Sequence, residues 1–175
     1  MDYLYAPWRS DYFGSKQDLC VFCAISKGLN LHTNAKQDFS LSDETNRVFY
    51  RDSKIFCVMN KFPYTPGHFL IIPHQHIHSP ELLSLDTWLH LQTFAQKGVA
   101  LLKEFGASGV NLGMNIEKAG GAGIPDHLHL HLVPRYIGDT NFFTTIGDTR
   151  AYGVDFDKIF KRIKALSKTH FRSIN

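Results

Sequence analysis

Three histidines alternate with leucines in the run His127-Leu128-His129-Leu130-His131. An alternation of period two predicts a β-strand, which sends the imidazoles to one face and the leucines to the other. Pro125 and Pro134 flank the run and argue against a helix. Each imidazole has two ring nitrogens that need partners, so three of them on one face are costly as packing alone. The run therefore predicts a leucine side in the core and a histidine side that lines a cleft.

Strand spacing limits what these histidines can do together. Neighbours would lie about 6.6 Å apart and the outer pair about 13 Å apart, so one adjacent pair could share a metal ion but all three could not. A neutral histidine can also attack phosphorus and form a phosphoramidate, provided that an acceptor holds its second N–H and that flanking donors stabilise the phosphate oxygens. We therefore expect the three histidines to divide their duties.

Two of the three cysteines form a Cys20-x-x-Cys23 pair. Such a pair in a cytosolic chain favours a metal or redox site over a structural disulfide. A tetrahedral Cys2His2 zinc site would need two histidines in addition. Cys57 lies in the apolar stretch from Ile55 to Met59 and is predicted to be a small core residue.

The remaining periodicity predicts the elements that must position these groups. Strands and helices alternate in a way that favours an α+β fold with a mainly antiparallel sheet, one long helix and one C-terminal helix. We divide a single domain, 1–175, into an irregular N-terminal arm with the cysteine pair (1–45), a core (46–142) and a C-terminal helical segment (143–175). The predicted strands are two within 48–60 joined by a turn at 51–53, then 68–73, 109–116 and 128–133; the predicted helices are 88–105, capped at Ser79 or Asp86 and stopped at Gly106, and 155–168.

The bulk properties are those of a globular protein: 175 residues, 43% hydrophobic and 20% charged. No apolar run reaches the roughly 20 residues of a membrane helix, and the first residues do not resemble a secretory signal, so we expect a cytoplasmic protein without a membrane partner. The net charge is +3. Basic residues between Lys158 and Arg172 are interpreted as a solvated helix face, with a nucleic-acid surface as the alternative.

The stretch GAGIPDHLHLHLVPR resembles the signature of the histidine-triad (HIT) superfamily, and MNKFPYTPGH resembles the segment of that family that cradles the nucleotide. The resemblance implies a HIT-like fold and a reaction in which the middle histidine, here His129, takes the nucleotidyl group from the α-phosphate. It places His131 and His68 near the phosphates, Asn60 at the ribose and Asn115 at the phosphate. It also implies a homodimer and no organic cofactor.

The same resemblance implies a structural zinc ion. In several relatives the ligands are a C-x-x-C pair, a histidine after the I-I-P strand and the first histidine of the triad, which match Cys20, Cys23, His76 and His127. His74 and His78 are then expected to face solvent. The alternative is a reduced cysteine pair that holds no metal.

The acceptor of the nucleotidyl group is the open question of the sequence. Hydrolases of the family usually carry glutamine four residues before the first triad histidine, where this chain has Gly123. With Gly121 and Ile124, this glycine belongs to a loop whose exposed N–H groups suit an incoming anion. The loop and the stretch GDTNF resemble the bacterial diadenosine tetraphosphate phosphorylase-like branch, in which inorganic phosphate is the acceptor.

Four readings stay open. The first is phosphorolysis of a dinucleoside polyphosphate; the second is hydrolysis of such a compound, or of a nucleoside phosphoramidate, by water. The third is a module that binds a dinucleoside polyphosphate or a mononucleotide and turns it over slowly, and the fourth is a zinc-dependent hydrolase. Arg135 lies close enough to the triad to face a phosphate or to end a strand, and Asp139 and Asn141 are predicted to shape a turn.

Overall fold

The computed structural model describes residues 20–29, 36, 38–147 and 153–172. Five strands and five α-helices follow one another along the described chain, with a short 3-10 turn before the longest helix. The elements are α1 (Val21–Ser26), α2 (Phe39–Asn46), β1 (Val48–Arg51), β2 (Ile55–Met59), β3 (Phe69–Pro73), the 3-10 turn Pro80–Leu82, α3 (Leu85–Phe105), β4 (Gly109–Gly113), β5 (Leu130–Arg135), α4 (Phe142–Thr145) and α5 (Phe156–His170).

The strands form one antiparallel sheet in the order β1-β2-β3-β5-β4. Asp52 makes the tight turn between β1 and β2, because its carboxylate accepts the backbone N–H groups of Lys54 and Ile55 at 2.8 and 2.9 Å. In β3, Leu70 pairs with His131 of β5, and Gly113 of β4 pairs with the same histidine from the other side. His131 therefore lies in the centre of the sheet, and β4 forms one edge.

All five residues of β2 are buried because both faces of the sheet are covered. Ile55, Cys57 and Met59 point into a core shared with α3 and α5, whereas Phe56 and Val58 point into a smaller cluster on the other face. This second cluster is covered by Phe22 and Ile25 of α1 and by Val48, Leu70 and Ile72, with Cys20, Val21 and Ile124 packed against it.

Helix α3 approaches the sheet closely at Gly98. A Cβ placed there would lie 2.5 Å from Leu132 Cδ2 and 3.0 Å from Phe69 Cζ, so any side chain would push the helix away from β3 and β5. Gly106, with φ of 118°, ends the helix in the left-handed conformation that glycine adopts readily. The predicted stop at Gly106 is confirmed.

Helix capping departs from the prediction at one end. Helix α3 begins at Leu85, and the cap is Ser84, whose hydroxyl accepts the N–H of Thr87 at 3.2 Å. The predicted caps Ser79 and Asp86 are wrong, because Ser79 starts the separate 3-10 turn and Asp86 lies within the first turn of the helix. The helix predicted over 155–168 is α5, Phe156–His170, and Asp155 is its cap.

Three further expectations need correction. The arm predicted to be irregular contains α1 and α2 in its described part, and residues 1–19 lie outside the described residues. The strand predicted over 109–116 ends at Gly113, and the strand predicted over 128–133 runs from Leu130 to Arg135. His127 and His129 therefore precede the strand: Leu128 N–H bonds to Ile77 O at 2.6 Å instead of joining the ladder.

Within the described ranges, no helix combines the length and the apolar character needed to cross a bilayer.

Candidate active site and metal centre

His129 is held in one tautomer by the backbone of the run itself. Its Nδ1 lies 2.7 Å from the carbonyl oxygen of His127, and because a carbonyl only accepts, this nitrogen carries the hydrogen. In the neutral ring, Nε2 then keeps its lone pair. Burial lowers the pKa of His129, although the bond to the carbonyl opposes this. The arrangement provides a neutral imidazole with one anchored N–H and one basic nitrogen, which is what a nucleophilic histidine requires.

A chain of three hydrogen-bonding groups fixes the tautomers of His68 and His131. The backbone N–H of Tyr64 donates to His68 Nδ1 at 3.1 Å, so the hydrogen of His68 is on Nε2. This Nε2 lies 3.0 Å from His131 Nδ1, which accepts, so the hydrogen of His131 is on its Nε2. His131 Nε2 is buried and has no hydrogen-bond partner among the described residues.

The unpartnered N–H of His131 matters because a buried donor without an acceptor costs about 1–3 kcal/mol. The rings of His129 and His131 are 5.0 Å apart between centroids, so the ring with the free basic nitrogen and the ring with the unused donor are neighbours. An anionic oxygen bound next to His129 would supply the missing acceptor. Such a pair can attack an electrophilic atom with one ring and donate a hydrogen bond to its oxygens with the other.

Burial keeps the site histidines neutral. It lowers the pKa of His68 to about 3, with the nearby His131 and His129 adding to the effect. It also lowers the pKa of His131 to about 4, helped by His129. At neutral pH both rings therefore act through single N–H groups and not as cations.

The site is closed at one end and open at the other. Phe22 of α1 packs against His127 and His129, with ring centroids 5.5 and 5.2 Å away. His127 and His129 are 1% and 5% exposed, His131 is half-buried, and Tyr64 is 47% exposed. The exposed fraction thus rises from His127 to His131 along the histidine run, and it is larger still at the neighbouring Tyr64.

Two of the predicted substrate contacts, Asn60 and Asn115, differ in how directly they contact the histidines. Asn60 Nδ2 is 3.3 Å from both ring nitrogens of His68, and its Oδ1 accepts the N–H of Phe62 at 3.0 Å. Asn115 is half-buried and follows β4 two residues after Gly113, the partner of His131, which places it on the side of the strand pair towards His129. The structure therefore brings Asn60 into contact with His68, whereas Asn115 follows the end of β4 and has no hydrogen bond to the histidines within the part of the chain that the structure describes.

The glycine loop begins with a tight turn. Ala122 N–H bonds to Glu117 O at 3.1 Å, and a Cβ at Gly120 would lie 2.3 Å from the carbonyl oxygen of Ile116, so the turn needs glycine there. Gly121, with φ of 85°, and Gly123 are exposed. Ile124 differs from them, because its side chain is half-buried against the cluster around Phe22.

Cys20, Cys23, His76 and His127 converge at the closed end of the site, and their ligand atoms all lie within 4.8 Å of one another. His127 Nδ1 is 3.3 Å from His76 Nδ1 and 3.5 and 3.7 Å from the sulfurs of Cys20 and Cys23. His76 Nδ1 is 3.2 Å from Cys23 Sγ. Tetrahedral zinc with ordinary bond lengths separates its ligands by about 3.3 Å for two nitrogens and about 3.5 Å for nitrogen and sulfur, so these residues fit a zinc ion.

The second nitrogen of His127 is also engaged. Its Nε2 donates to the carbonyl oxygen of Pro73 at 2.9 Å, the kind of outer contact that orients a metal-binding histidine. Burial lowers the pKa of His127 to about 4, so the ring is neutral, as a ligand must be. Burial, followed by the proximity of Cys20, raises the pKa of the Cys23 thiol to about 11.

Of the two neighbouring histidines that were expected to face solvent, one does not. His74 is half-buried: its Nε2 donates to the carbonyl oxygen of Asp52 at 2.9 Å and its Nδ1 accepts from Ser26 Oγ at 2.7 Å. It therefore joins α1 to the β1–β2 turn. His78 is exposed, as expected, and lies 3.5 Å from Glu117.

The residues after β5 make a turn. Arg135 donates to both carboxylate oxygens of Asp139, at 2.7 and 2.8 Å, and Asp139 also accepts the backbone N–H of Tyr136. Asn141 N–H donates to Thr144 Oγ1 at 2.8 Å at the start of α4. The prediction that Asp139 and Asn141 shape a turn is confirmed, and Arg135 stabilises this turn by its bonds to Asp139.

Two residues at the site were missed by the sequence reasoning. Phe22 stands between the two cysteines, and Tyr64 stands inside the MNKFPYTPGH stretch. The sequence signal that could have identified each of them is the presence of an aromatic side chain inside the motif. Nothing in the sequence showed that one would close the site and the other would border its open end.

Comparisons with known proteins found similar sequences and similar folds. The family model described as HIT domain matches residues 42–138. The AP-4-A phosphorylase of Mycobacterium tuberculosis is 31% identical over 152 residues, which cover 84% of this chain and 74% of that protein. The asymmetrical bis(5'-nucleosyl)-tetraphosphatase of Schizosaccharomyces pombe is 31% identical over 102 residues, 58% of this chain and 56% of that protein. A zinc-bound histidine triad family protein from Mycobacterium smegmatis has a TM-score of 0.65 at 26% identity, covering 86% of this chain and 94% of that chain.

Proposed function

The chain belongs to the histidine-triad family of enzymes, and from that premise we propose that it transfers a nucleotidyl group from a dinucleoside polyphosphate through a covalent bond to His129. The observation that carries the proposal is the pairing of two neighbouring groups. His129 has its Nδ1–H anchored on a carbonyl, and the buried Nε2–H of His131 has no partner in the described protein.

In the first step, His129 Nε2 attacks the α-phosphorus and forms the N–P bond. The P–O bond to the remaining polyphosphate breaks, and the leaving group keeps the bonding electrons. His131 Nε2–H donates to an oxygen on this phosphate and stabilises the charge that develops there. His68 holds His131 in the required tautomer, and Asn60, beside His68, is proposed to bind the ribose.

In the second step, an acceptor oxygen attacks the same phosphorus and the N–P bond breaks, which returns a neutral His129. We propose inorganic phosphate as the acceptor, and we place it beside the glycine loop, where no glutamine side chain occupies position 123. The expected free N–H groups do not carry this placement, because Gly121 N–H donates to Lys118 O at 3.0 Å and Ala122 N–H to Glu117 O. The proposal is supported by the similarity to the AP-4-A phosphorylase of M. tuberculosis. The similarity to the S. pombe tetraphosphatase favours water as the second candidate acceptor.

Product analysis with diadenosine tetraphosphate distinguishes the two acceptors. With inorganic phosphate as the acceptor, we expect ADP and ATP, formed at a rate that depends on the phosphate concentration. AMP and ATP formed without phosphate would show hydrolysis. Binding without any product would contradict the proposed transfer and leave a nucleotide-binding module.

We also propose that Cys20, Cys23, His76 and His127 hold a structural zinc ion. When bound, zinc would crosslink α1 to the segment after β3 and to the histidine run. The proposal is supported by the ligand spacing and by the similarity to the zinc-bound protein of M. smegmatis. Elemental analysis of the purified protein tests it, with about one zinc ion per chain expected from one four-ligand site; a metal-free protein that folds and turns over normally would refute it.

Edge strand β4 favours a homodimer. Leu112 on β4 is 50% exposed and Leu89 on α3 is 55% exposed, and both line one shallow groove. Pairing of β4 with the β4 of a second copy would continue the sheet and cover these leucines. We therefore propose a symmetric dimer through β4 and α3. Sedimentation analysis tests it: the wild-type chain should sediment as a dimer and Leu112→Lys as a monomer, whereas a monomeric wild type would refute it.

A further inference from the structure

The path by which the leaving group departs is restricted by the closed end of the site. Phe22 packs against the rings of His127 and His129, and Cys20, Cys23 and His76 converge on His127. Because that end is covered, we take the part of the substrate beyond the reacting phosphate to extend towards His131 and Tyr64.

Tyr64 lies where the leaving part of the substrate would pass. Its ring lies 4.8 Å from the ring of His68 and 6.0 Å from that of His131, to which it is parallel within 5°. Its backbone N–H donates to His68 Nδ1, so the residue is tied to the site by its main chain as well. Nevertheless 47% of the residue remains exposed, although a tyrosine ring beside a cleft could have been buried more fully.

We propose that the exposed ring of Tyr64 is the stacking platform for the nucleoside of the leaving group, and that it makes this enzyme prefer substrates with a second nucleoside. The inference rests on the proposed function and names the part of the substrate that the histidines do not contact. A flexible polyphosphate chain lets the second base fold onto a ring at the mouth of the site. Stacking of a base on an aromatic side chain tolerates any base, so the preference is for a nucleoside and not for one particular base.

The test compares two substrates that differ only in the second nucleoside: diadenosine tetraphosphate and adenosine 5'-tetraphosphate. The quantity measured is the ratio of kcat/KM for the first compound to kcat/KM for the second. Any general disturbance of His68 or His131 affects both substrates and leaves this ratio unchanged. Tyr64→Ala should lower the ratio by about 5- to 150-fold, the range that corresponds to loss of one base stack.

Two control variants sharpen the experiment. Tyr64→Phe keeps the ring and removes the hydroxyl, so it should retain the ratio of the wild type. Ile137→Ala removes a side chain that is 94% exposed on the turn after β5, and should also retain it. A Tyr64→Ala ratio equal to that of the wild type would overturn the proposal, because the ring would then only support the histidines. A Tyr64→Phe ratio as low as that of Tyr64→Ala would overturn it too, because the hydroxyl would be the group that binds.

A failure of the proposed function is recognised separately. If the wild type turns over neither compound, the proposed transfer fails, and the stacking is tested by calorimetric dissociation constants for the same two compounds. Tighter binding of the dinucleotide that is lost in Tyr64→Ala and kept in Tyr64→Phe supports the platform. Equal affinity of the wild type for both compounds refutes it.

Discussion

The two outer histidines of the run are both largely shielded from solvent, but they use their nitrogens differently. His127 has both nitrogens engaged: Nδ1 faces the cysteine cluster and Nε2 donates to Pro73 O. His131 has one engaged, since Nδ1 accepts from His68 and Nε2 finds no partner among the described residues. The same residue type, four positions away in the sequence, is thus completed by the protein at one end and left incomplete at the other.

Under the proposed mechanism, the end with complete hydrogen bonding, at His127, supports the fold, and the end with an unpartnered donor, at His131, binds the substrate. A fully bonded buried histidine stabilises the fold, whereas an unpartnered buried N–H costs stability that binding of a substrate oxygen can restore. His129 lies between the two and interacts with both. The carbonyl of His127 fixes its tautomer, and in the proposed mechanism the neighbouring His131 stabilises the charge that develops on the phosphate.

The largest expected effect is that of removing the middle histidine. His129→Ala should lower kcat by at least about 10⁴-fold, because no other group supplies the N–P bond. Affinity for the nucleotide should stay near that of the wild type, because the surrounding donors remain. Rapid-quench detection of the nucleotidyl-enzyme, together with calorimetric binding, checks both expectations. Strong residual turnover in this variant would show that His129 is not the nucleophile.

The next largest effect should come from the incomplete end. His131→Asn keeps an acceptor for His68 but removes the unpartnered Nε2–H, and the shorter amide of asparagine does not place its own N–H groups at that position, so kcat should fall by about 10²- to 10³-fold. The free energy of unfolding should change by no more than about 1 kcal/mol, because the removed donor had no partner to lose. Steady-state kinetics and urea unfolding measure the two. Unchanged kcat, or a large loss of stability, would mean that His131 resembles His127 and not a substrate donor.

The contrast between the two ends was only partly available from the sequence. The period of two revealed the histidine face, and the structure confirms that Leu130 and Leu132 lie in the core while His131 faces the other way. The alternation could not reveal that only His131 lies on the strand. Whether a strand begins at residue 127 or 130 depends on the bond from Leu128 N–H to Ile77 O, a contact across 51 residues.

The same limit applies to the neighbouring segments. His74 looked like an exposed polar residue because its partners, Ser26 and the carbonyl of Asp52, come from two distant parts of the chain. Local signals served well where the cause is local, as at Gly106 and at the carboxylate of Asp52. They failed at the start of α3, where three residues that suit a cap lie within eight positions and Ser84 is the one that caps the helix.

At the completed end, loss of one ligand should affect the metal and the fold more than the chemistry. Cys20→Ser should weaken zinc binding by more than the about 10- to 100-fold that loss of an outer contact costs, and should lower Tm. The kcat should fall by less than about tenfold, because Cys20 does not touch the reacting phosphorus and α1 remains packed by Phe22 and Ile25.

The matched control for this variant is Cys57→Ala, which removes a buried thiol outside the cluster. It should lower Tm through lost packing but leave the zinc content at the level of the wild type. Elemental analysis and thermal unfolding of both variants make the comparison. Equal zinc content in the two variants would show that Cys20 is not a zinc ligand.

The smallest effect should be that of moderate acid. A histidine with an ordinary pKa of about 6.5 is largely protonated at about pH 5.5, and a rate that needed its neutral form would fall about tenfold. Burial lowers the pKa of His131 to about 4 and that of His68 to about 3, so both stay neutral there. A turnover rate that depends on the neutral forms of His68 and His131 should therefore change by less than about twofold between about pH 7.5 and about pH 5.5.

Stability should depend on pH with a definite sign through His68 and His131 and through the other buried or half-buried histidines whose pKa is lowered, His74, His127 and His129. Their pKa values are lower in the folded than in the unfolded chain, so the unfolded chain binds more protons between about pH 6.5 and about pH 4. The free energy of unfolding should thus be level above about pH 6.5 and decrease as the pH falls towards about 4. His131→Asn removes one of these groups and should make this decrease less steep, as measured by urea unfolding across the range. An acid profile identical in the variant and the wild type would show that the incomplete end of the run is no more sensitive to protons than the rest of the fold.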